Sequence, residues 1–275
     1  MTSDAFLFTQ RPFPKGLFRQ FEQDILEALA LDGGEVYEDK LLFFLRRYFG
    51  DEKARAIRGR ISEDIAFFRE NDPASTTYTE TQILGVRRGM AAIAAHRVFQ
   101  EILTLAPELL YDIEVIAKYV QKDTNVEIHP SATIGVPFAI DHGHSTVIGA
   151  TSIVGRRVFI YHGVTLGATG RRSRSQRRHP LVGDNVFFGN GSQLLGPSIL
   201  ENDIQIASGS IVTDCHVGSG ASIYIRVRVS GVIVPPKTRI FSIDLENPRL
   251  YWAILDGETK PRWVEFEKFD PSKYD

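Results

Sequence analysis

Cysteine is nearly absent from this chain: Cys215 stands alone among 275 residues. A single thiol excludes an intrachain disulfide framework and a cysteine-rich metal cluster, and it fits a reducing compartment. Charge of one sign is also missing. The 32 basic and 34 acidic residues nearly cancel, which argues against a dedicated nucleic-acid binder. No apolar run approaches the roughly 20 residues of a membrane span. The opening stretch, MTSDAFLFTQRPFPKG, lacks the basic start and long apolar core of a secretory signal. Together these absences predict a cytoplasmic protein that partners neither nucleic acid nor membrane. What is present is an ordinary globular composition, 43% apolar and 24% charged. At roughly 150 residues per domain, the length allows one large domain or two modest ones. Glycine, with 23 residues, is the unevenly placed type.

Residues 1–123 read as helical. Apolar residues at 21, 25, 26, 28 and 29 follow a helical spacing. The stretches Leu41 to Phe49, Ala54 to Phe68, Ile83 to Leu105 and Glu108 to Tyr119 are further helices by the same pattern. Turn signals fall at Asp32-Gly33-Gly34, at Asn71-Asp72-Pro73 and at Ala106-Pro107. This half predicts a bundle with little chemistry of its own.

From about Glu127 the pattern changes. Apolar residues recur every six positions at Ile134 and Ile140, at Ile148, Val154, Ile160 and Leu166, and at Val182, Phe188, Leu194, Leu200, Ile206 and Val212. Small or apolar residues such as Ala132, Ser152, Ser192 and Ser210 stand two before them. Glycine often follows the apolar position, as at Gly135, Gly149, Gly155, Gly167 and Gly189. A six-residue period does not fit an amphipathic helix. It fits short strands joined by tight turns, three to a triangular coil, with glycine easing each turn. Coils then stack at the strand spacing of about 4.8 Å, and these hexads make roughly four coils. The fold expected is α+β: a helical domain (1–123), a left-handed parallel β-helix of hexapeptide repeats (124–234) with an extruded loop, and a divergent C-terminal tail (235–275).

The repeat breaks twice. Between Leu166 and Val182 an insert carries five arginines in residues 171–178, followed by His179-Pro180. A basic loop expelled from a solenoid suits a phosphorylated or carboxylate ligand, and equally a solvated surface. Between Ile140 and Ile148 the step is eight and contains Asp141-His142-Gly143-His144. An unperturbed imidazole titrates at about 6.5, which suits general-base work.

These residues carry a resemblance. Glu127-Ile-His-Pro-Ser-Ala-Thr-Ile-Gly, Asp141-His142, Val164-Thr-Leu-Gly-Ala-Thr-Gly and Arg178-His179-Pro180, in that order, resemble the serine O-acetyltransferases of cysteine biosynthesis. In the first half, Asn71-Asp72-Pro73-Ala74 and the helix from Ala91 to Phe99 are similar to that family too. The resemblance implies transfer of acetyl from acetyl-CoA to the hydroxyl of L-serine, without a covalent enzyme intermediate and without a metal. It implies His142 as the general base and Glu127, one methylene longer than the family's aspartate, as its carboxylate partner. It implies Asp72, Asp141, Arg178 and His179 at the acceptor, His179 also within the catalytic set. CoA would meet Ala168, Thr169, Asn190 and Ser208, mainly through backbone. A homotrimer, single or doubled, follows as the assembly.

The resemblance weakens at Ala150, where the family has glutamate, and after Val212, where its final coils are not recognisable. Tyr224 to Ser230 alternates like a strand. The tail's aromatics are expected to pack on the end of the solenoid. The chain ends in Asp275 where the family docks a sulfhydrylase through isoleucine, so that complex is not expected. Two rival readings stand: the same chemistry on homoserine, a modified amino acid or a sugar, and a non-catalytic or zinc-binding hexapeptide protein using His142, His144, His162 and His179. His129, His144 and His162 read more simply as turn or coil-edge residues, and Cys215 as a small buried hydrophobe.

Overall fold

The computed structural model describes residues 15–29, 40–170 and 177–274. The expected turn at Asp32-Gly33-Gly34 lies outside the described residues, as do Arg171, Arg172, Arg174 and Asp275. Contacts divide the chain into two units, Met1–Ser131 with Ala139–His144, and Ala132–Phe138 with Ser145–Asp275.

The first unit is helical: α1 (Lys15–Ala28), α2 (Lys40–Asn71), α3 (Glu80–Val86), α4 (Arg88–Leu105) and α5 (Leu110–Thr124). Phe21 and Ile25, one turn apart on α1, are fully buried. The Phe21 ring sits 5.0 Å from Tyr48 and 5.3 Å from Phe44, both on α2. Gly50 interrupts α2 with φ 75° and ψ 168°, so two helical pieces run there, as the pattern predicts. Helix α4 is buried from Gly89 through Phe99, which makes it the centre of this unit. One expectation needs correction. Ile83 to Leu105 is not a single helix, because Arg87 leaves helical geometry at φ −100° and ψ 88°. Gly85 and Gly89 flank that break, and glycine weakens a helix interior. Tertiary ties at the same place are described below. A capping box from Thr79 to Gln82 starts α3.

The second unit is a parallel β-solenoid. Thr133–Ile134, Ile153–Val154, Leu181–Val182, Ile199–Leu200, His216–Val217 and Val232–Val234 pair in succession, all parallel, one from each of six turns. The hexad residues point inward, and Leu166, Phe188, Leu194, Leu200, Ile206 and Val212 are fully buried. The serines two before them are buried too. Ser192 and Ser198 donate their hydroxyls to the carbonyls of Gly189 and Leu195 at 2.8 and 2.7 Å, so these two buried hydroxyls are satisfied.

The repeat also runs further than its period suggests. After Val212 the interior is filled by Val217, Ile223, Val229, Val234 and Ile240, each at most 1% exposed. Two of these steps are five residues rather than six, which hides the last coils from a strict six-residue count and corrects the estimate of four. Tyr224 to Ser230 is therefore not one strand. Ser222–Ile223 and Arg228–Ser230 are strands, and a corner lies between them.

Glycine has two roles in the solenoid. Gly163, Gly191 and Gly209 take left-handed turn geometry, with φ of 71°, 67° and 69°, as expected, and others act differently. A Cβ at Gly155 would lie 2.6 Å from the Gly183 carbonyl oxygen, and one at Gly183 would lie 2.7 Å from that of Glu201. These glycines let neighbouring coils approach. The left-handed residues at the same corner are Arg157, Asn185 and Asp203, with φ of 56°, 56° and 61°.

The tail pairs antiparallel onto the last coil: Leu250–Ile254 on Arg239–Ile243, then Arg262–Glu265. Tyr251 and Phe266 stack there at 5.0 Å and are buried, so the tail's aromatics do pack on the solenoid. Cys215 is buried within the solenoid, and burial pushes its thiol up to about 12, out of reach of thiolate chemistry at neutral pH. No helix among the described residues is long and apolar enough to cross a membrane.

Candidate active site

The extra residues between Ile140 and Ile148 form a tight loop. His142 and Gly143 both lie in left-handed geometry, at φ 59° and 84°, a strained state for histidine. Asp141 holds the loop: its Oδ1 accepts the His142 N–H at 2.8 Å, and its carbonyl accepts the Gly143 N–H at 2.7 Å. The imidazole is 56% exposed, and its Nε2 lies 3.6 Å from Asp141 Oδ2. That is ion-pair range but too long for a hydrogen bond, so the imidazole is reachable beside a largely buried carboxylate.

The loop rests on the start of α4. A Cβ on Gly143 would fall 3.0 Å from Gly89 Cα, and a Cβ on Gly89 would fall 2.4 Å from the Ile140 carbonyl oxygen. Two residues before Gly89, Arg87 reaches back to Asp72. Its Nη2 lies 3.0 Å from Asp72 Oδ2, and its Nε donates to Ser75 Oγ at 2.9 Å. Asp72 also caps the short 3₁₀ turn Pro73–Ser75 by accepting from Ala74 N–H at 3.1 Å and Ser75 O–H at 2.6 Å. These ties hold the chain at the break between α3 and α4. They also link two expected site residues, Asp72 and His142, through the first turn of α4.

Glu127 stands differently from its expected place on His142. Its Oε2 accepts from Gln121 Nε2 at 2.8 Å, and its Oε1 lies 3.2 Å from Lys118 Nζ. Both donors sit on α5, and the longer side chain turns back to them. The carboxylate beside His142 is that of Asp141.

In the second unit, His179 is 8% exposed. Its Nδ1 meets Thr151 Oγ1 at 2.8 Å and the Thr151 N–H at 3.3 Å. The backbone donor requires an unprotonated Nδ1 and leaves the proton on Nε2. The ring packs against Gly149, where a Cβ would come within 2.2 Å of Nε2. Gly149→Ala is therefore expected to swing His179 out of place and lower kcat/KM about 100-fold. Steady-state kinetics beside a circular-dichroism melt would separate this from unfolding. Arg178, next to it, is exposed.

Of the residues expected near CoA, Ser208 donates to Asn190 Oδ1 at 2.7 Å across adjacent coils. Ala168 and Thr169 occupy another corner, half-buried, with the Thr169 methyl 3.1 Å from where a Cβ on Gly196 would lie. His129 is a coil-edge residue, accepting from Ser131 N–H at 3.1 Å. Among the described residues no three of His, Cys, Asp and Glu converge as metal ligands. Sequence reasoning missed Arg87, Thr151 and the seat that Gly149 gives His179. Only Gly149, in its place after Ile148, carried a sequence signal.

No protein-family model matches the chain. Individual proteins do. The serine acetyltransferase of Mycobacterium tuberculosis is 36% identical over 202 residues, covering 74% of this chain and 83% of that protein. This chain belongs to the serine acetyltransferase family. The serine acetyltransferase of Synechococcus elongatus is 37% identical over 186 residues, 64% of this chain and 71% of that one. Among solved structures, soybean serine acetyltransferase complexed with serine is similar with a TM-score of 0.53 and 26% identity, covering 90% of this chain and 84% of that one. Helices followed by a parallel solenoid are thus this family's architecture, and the loop bearing His142 sits in a serine acetyltransferase-like chain.

Proposed function

We propose that this protein transfers the acetyl group of acetyl-CoA to the side-chain hydroxyl of L-serine. The observation that carries this reading is the exposed His142 beside Asp141, set against the helix start that is tied to Asp72. A serine hydroxyl is a poor nucleophile until its proton has an acceptor. His142 takes that proton as the hydroxyl attacks the thioester carbonyl, and the imidazolium then returns it to the departing sulfur. Asp141 steadies the cation that forms between these steps. Asp72 and Asp141 receive the acceptor's ammonium, and Arg178 with His179 its polar remainder. In this assignment Ala168 and Thr169 offer backbone groups to CoA, and Asn190 and Ser208 belong to the same CoA set. Acetyl-CoA supplies the acyl group and a thiolate leaving group. The assembly proposed is a homotrimer on the solenoid, or two such trimers, and light scattering reads it directly.

The test is CoA release measured with a thiol reagent against L-serine, homoserine, serine derivatives and sugars. The highest kcat/KM is expected for L-serine. A tenfold higher value for any other acceptor overturns the assignment of serine, and no release with any of them overturns the enzyme reading. Cys215 is buried and contributes no background thiol in the native protein.

A further inference from the structure

We propose that the outer face of α5 is a self-complementary docking surface, on which a second copy of this chain packs its own α5 antiparallel about a two-fold axis at Val115. The proposal goes beyond the acyl-transfer reading and does not depend on it, because its test reads mass and cross-links rather than turnover.

The inner face of α5 is used within its own unit, where Ile113, Ile116 and Val120 are buried. The opposite face is apolar as well. Tyr111, Val115 and Tyr119 are 76%, 37% and 43% exposed. Residues four apart form one ridge along a helix, and a contiguous exposed apolar stripe marks an interaction site. Neither tyrosine has a hydrogen bond or ring contact among the described residues. Tyrosine brings a large apolar area with few rotamers to lose, which suits it to interfaces.

The flanking charges decide the occupant. Acids stand toward the start: Glu108 in the 3₁₀ turn Pro107–Leu109 that leads into α5, and Asp112 in the first helical turn. Bases stand toward the end: Lys118, 64% exposed, and Lys122 in the last turn. At 3.6 residues per turn these four lie within about 60° of Val115 around the helix. Their order inverts about Val115. The two tyrosines stand four residues to either side, Asp112 and Lys118 three, and Glu108 and Lys122 seven. Reversing the helix therefore lays tyrosine on tyrosine and each acid on a base. An antiparallel copy meets the ridge with its own ridge and sets Asp112 across from the partner's Lys118, and Glu108 across from the partner's Lys122. A parallel copy would set acid beside acid, and a polyanion would meet both acids. Acids first and bases last also suit the helix dipole, but the dipole does not place two exposed tyrosines at equal distances from a valine.

The test measures the mass of the full chain by light scattering and sedimentation. Wild type is expected to hold an even number of chains. Val115→Glu sets two carboxylates against each other at the axis and should raise the dissociation constant of the doubled form at least about tenfold, halving the mass. Lys122→Glu faces the partner's Glu108 and should loosen it too, while Glu108→Lys with Lys122→Glu in one chain should restore it. A mass that none of these variants shifts means that the stripe meets another partner or only solvent, and overturns the proposal. A wild-type mass of one or three chains does the same. Single cysteines then read the register, since the native Cys215 is buried. Residues four from the axis lie about 12 Å along the helix from their own copies, beyond disulfide reach. Tyr111→Cys and Tyr119→Cys should therefore not cross-link alone on oxidation, whereas the two co-expressed should. Self-cross-linking of either variant, or none in the mixture, overturns the two-fold register.

Discussion

His142→Ala is expected to lower kcat by 10²–10⁴-fold, the usual contribution of a positioned general base, with KM for acetyl-CoA unchanged. Such a split marks an interaction made in the transition state rather than in the ground state. The fold should survive, because the side chain is 56% exposed and the loop is held by the Asp141 carboxylate and carbonyl through backbone bonds. Alanine keeps the Cβ that makes a left-handed residue costly, so the melting temperature should change little. Carboxylate variants then separate the two acids near this loop. Asp141→Asn should cost more than Glu127→Gln, because Asp141 lies 3.6 Å from Nε2 while Glu127 is held by Gln121 and Lys118. The reverse order would mean that Glu127 swings onto His142 when substrate binds. Wild-type turnover by His142→Ala would end the base assignment.

The same loop shows how much of the molecule was legible in the sequence. A solenoid repeats one steric environment, so its period is written directly as Val, Ile or Leu every six residues. The irregularities were legible for the same reason: an eight-residue step has to bulge, and the bulge carries His142. Five-residue steps were harder, because Val217 and Val234 fall one residue early and leave no motif behind. The acceptor side was less legible still. Asp72 carries a local signal in Asp-Pro-Ala, and Gly85 and Gly89 signal a weak point in the helical pattern around Arg87. The partner of Arg87 lies 15 residues away in sequence, and local propensity contains no trace of that pairing. Glu127 illustrates the opposite limit. Resemblance supplies the type of residue at a position, while the direction of its carboxylate depends on which donors, here Gln121 and Lys118, the neighbouring helix presents.

Two Arg–Asp pairs tie α4 to the chain before it, and burial gives them different work. Arg87 and Asp72 have side chains 24% and 15% exposed, whereas Arg97 and Asp64 are each 1% exposed. The inner pair is a fork: Arg97 Nε donates to Asp64 Oδ2 at 2.8 Å, and Nη2 to Oδ1 at 3.0 Å. No ligand can reach it, so its role is structural, joining α2 to α4. Removing one member leaves an uncompensated charge in the core of the helical unit, and that costs about 3–5 kcal/mol. Asp64→Ala is therefore expected to lower the melting temperature of the helical unit by roughly 10 °C or more, read by circular dichroism at 222 nm. Arg97→Met alone should do comparable damage. The double variant Asp64→Leu with Arg97→Met should lose much less than the two single losses added together, since replacing both charges by apolar groups leaves nothing unpaired. Additive losses would show that each side chain acts through its own separate packing. By contrast, Arg87→Gln should barely move the melting temperature, because Asp72 keeps its bonds to Ala74 and Ser75 and enough solvent access to remain charged. The partly exposed pair thus adds little to stability, and the sealed pair holds the helices that carry Asp72 and the His142 loop.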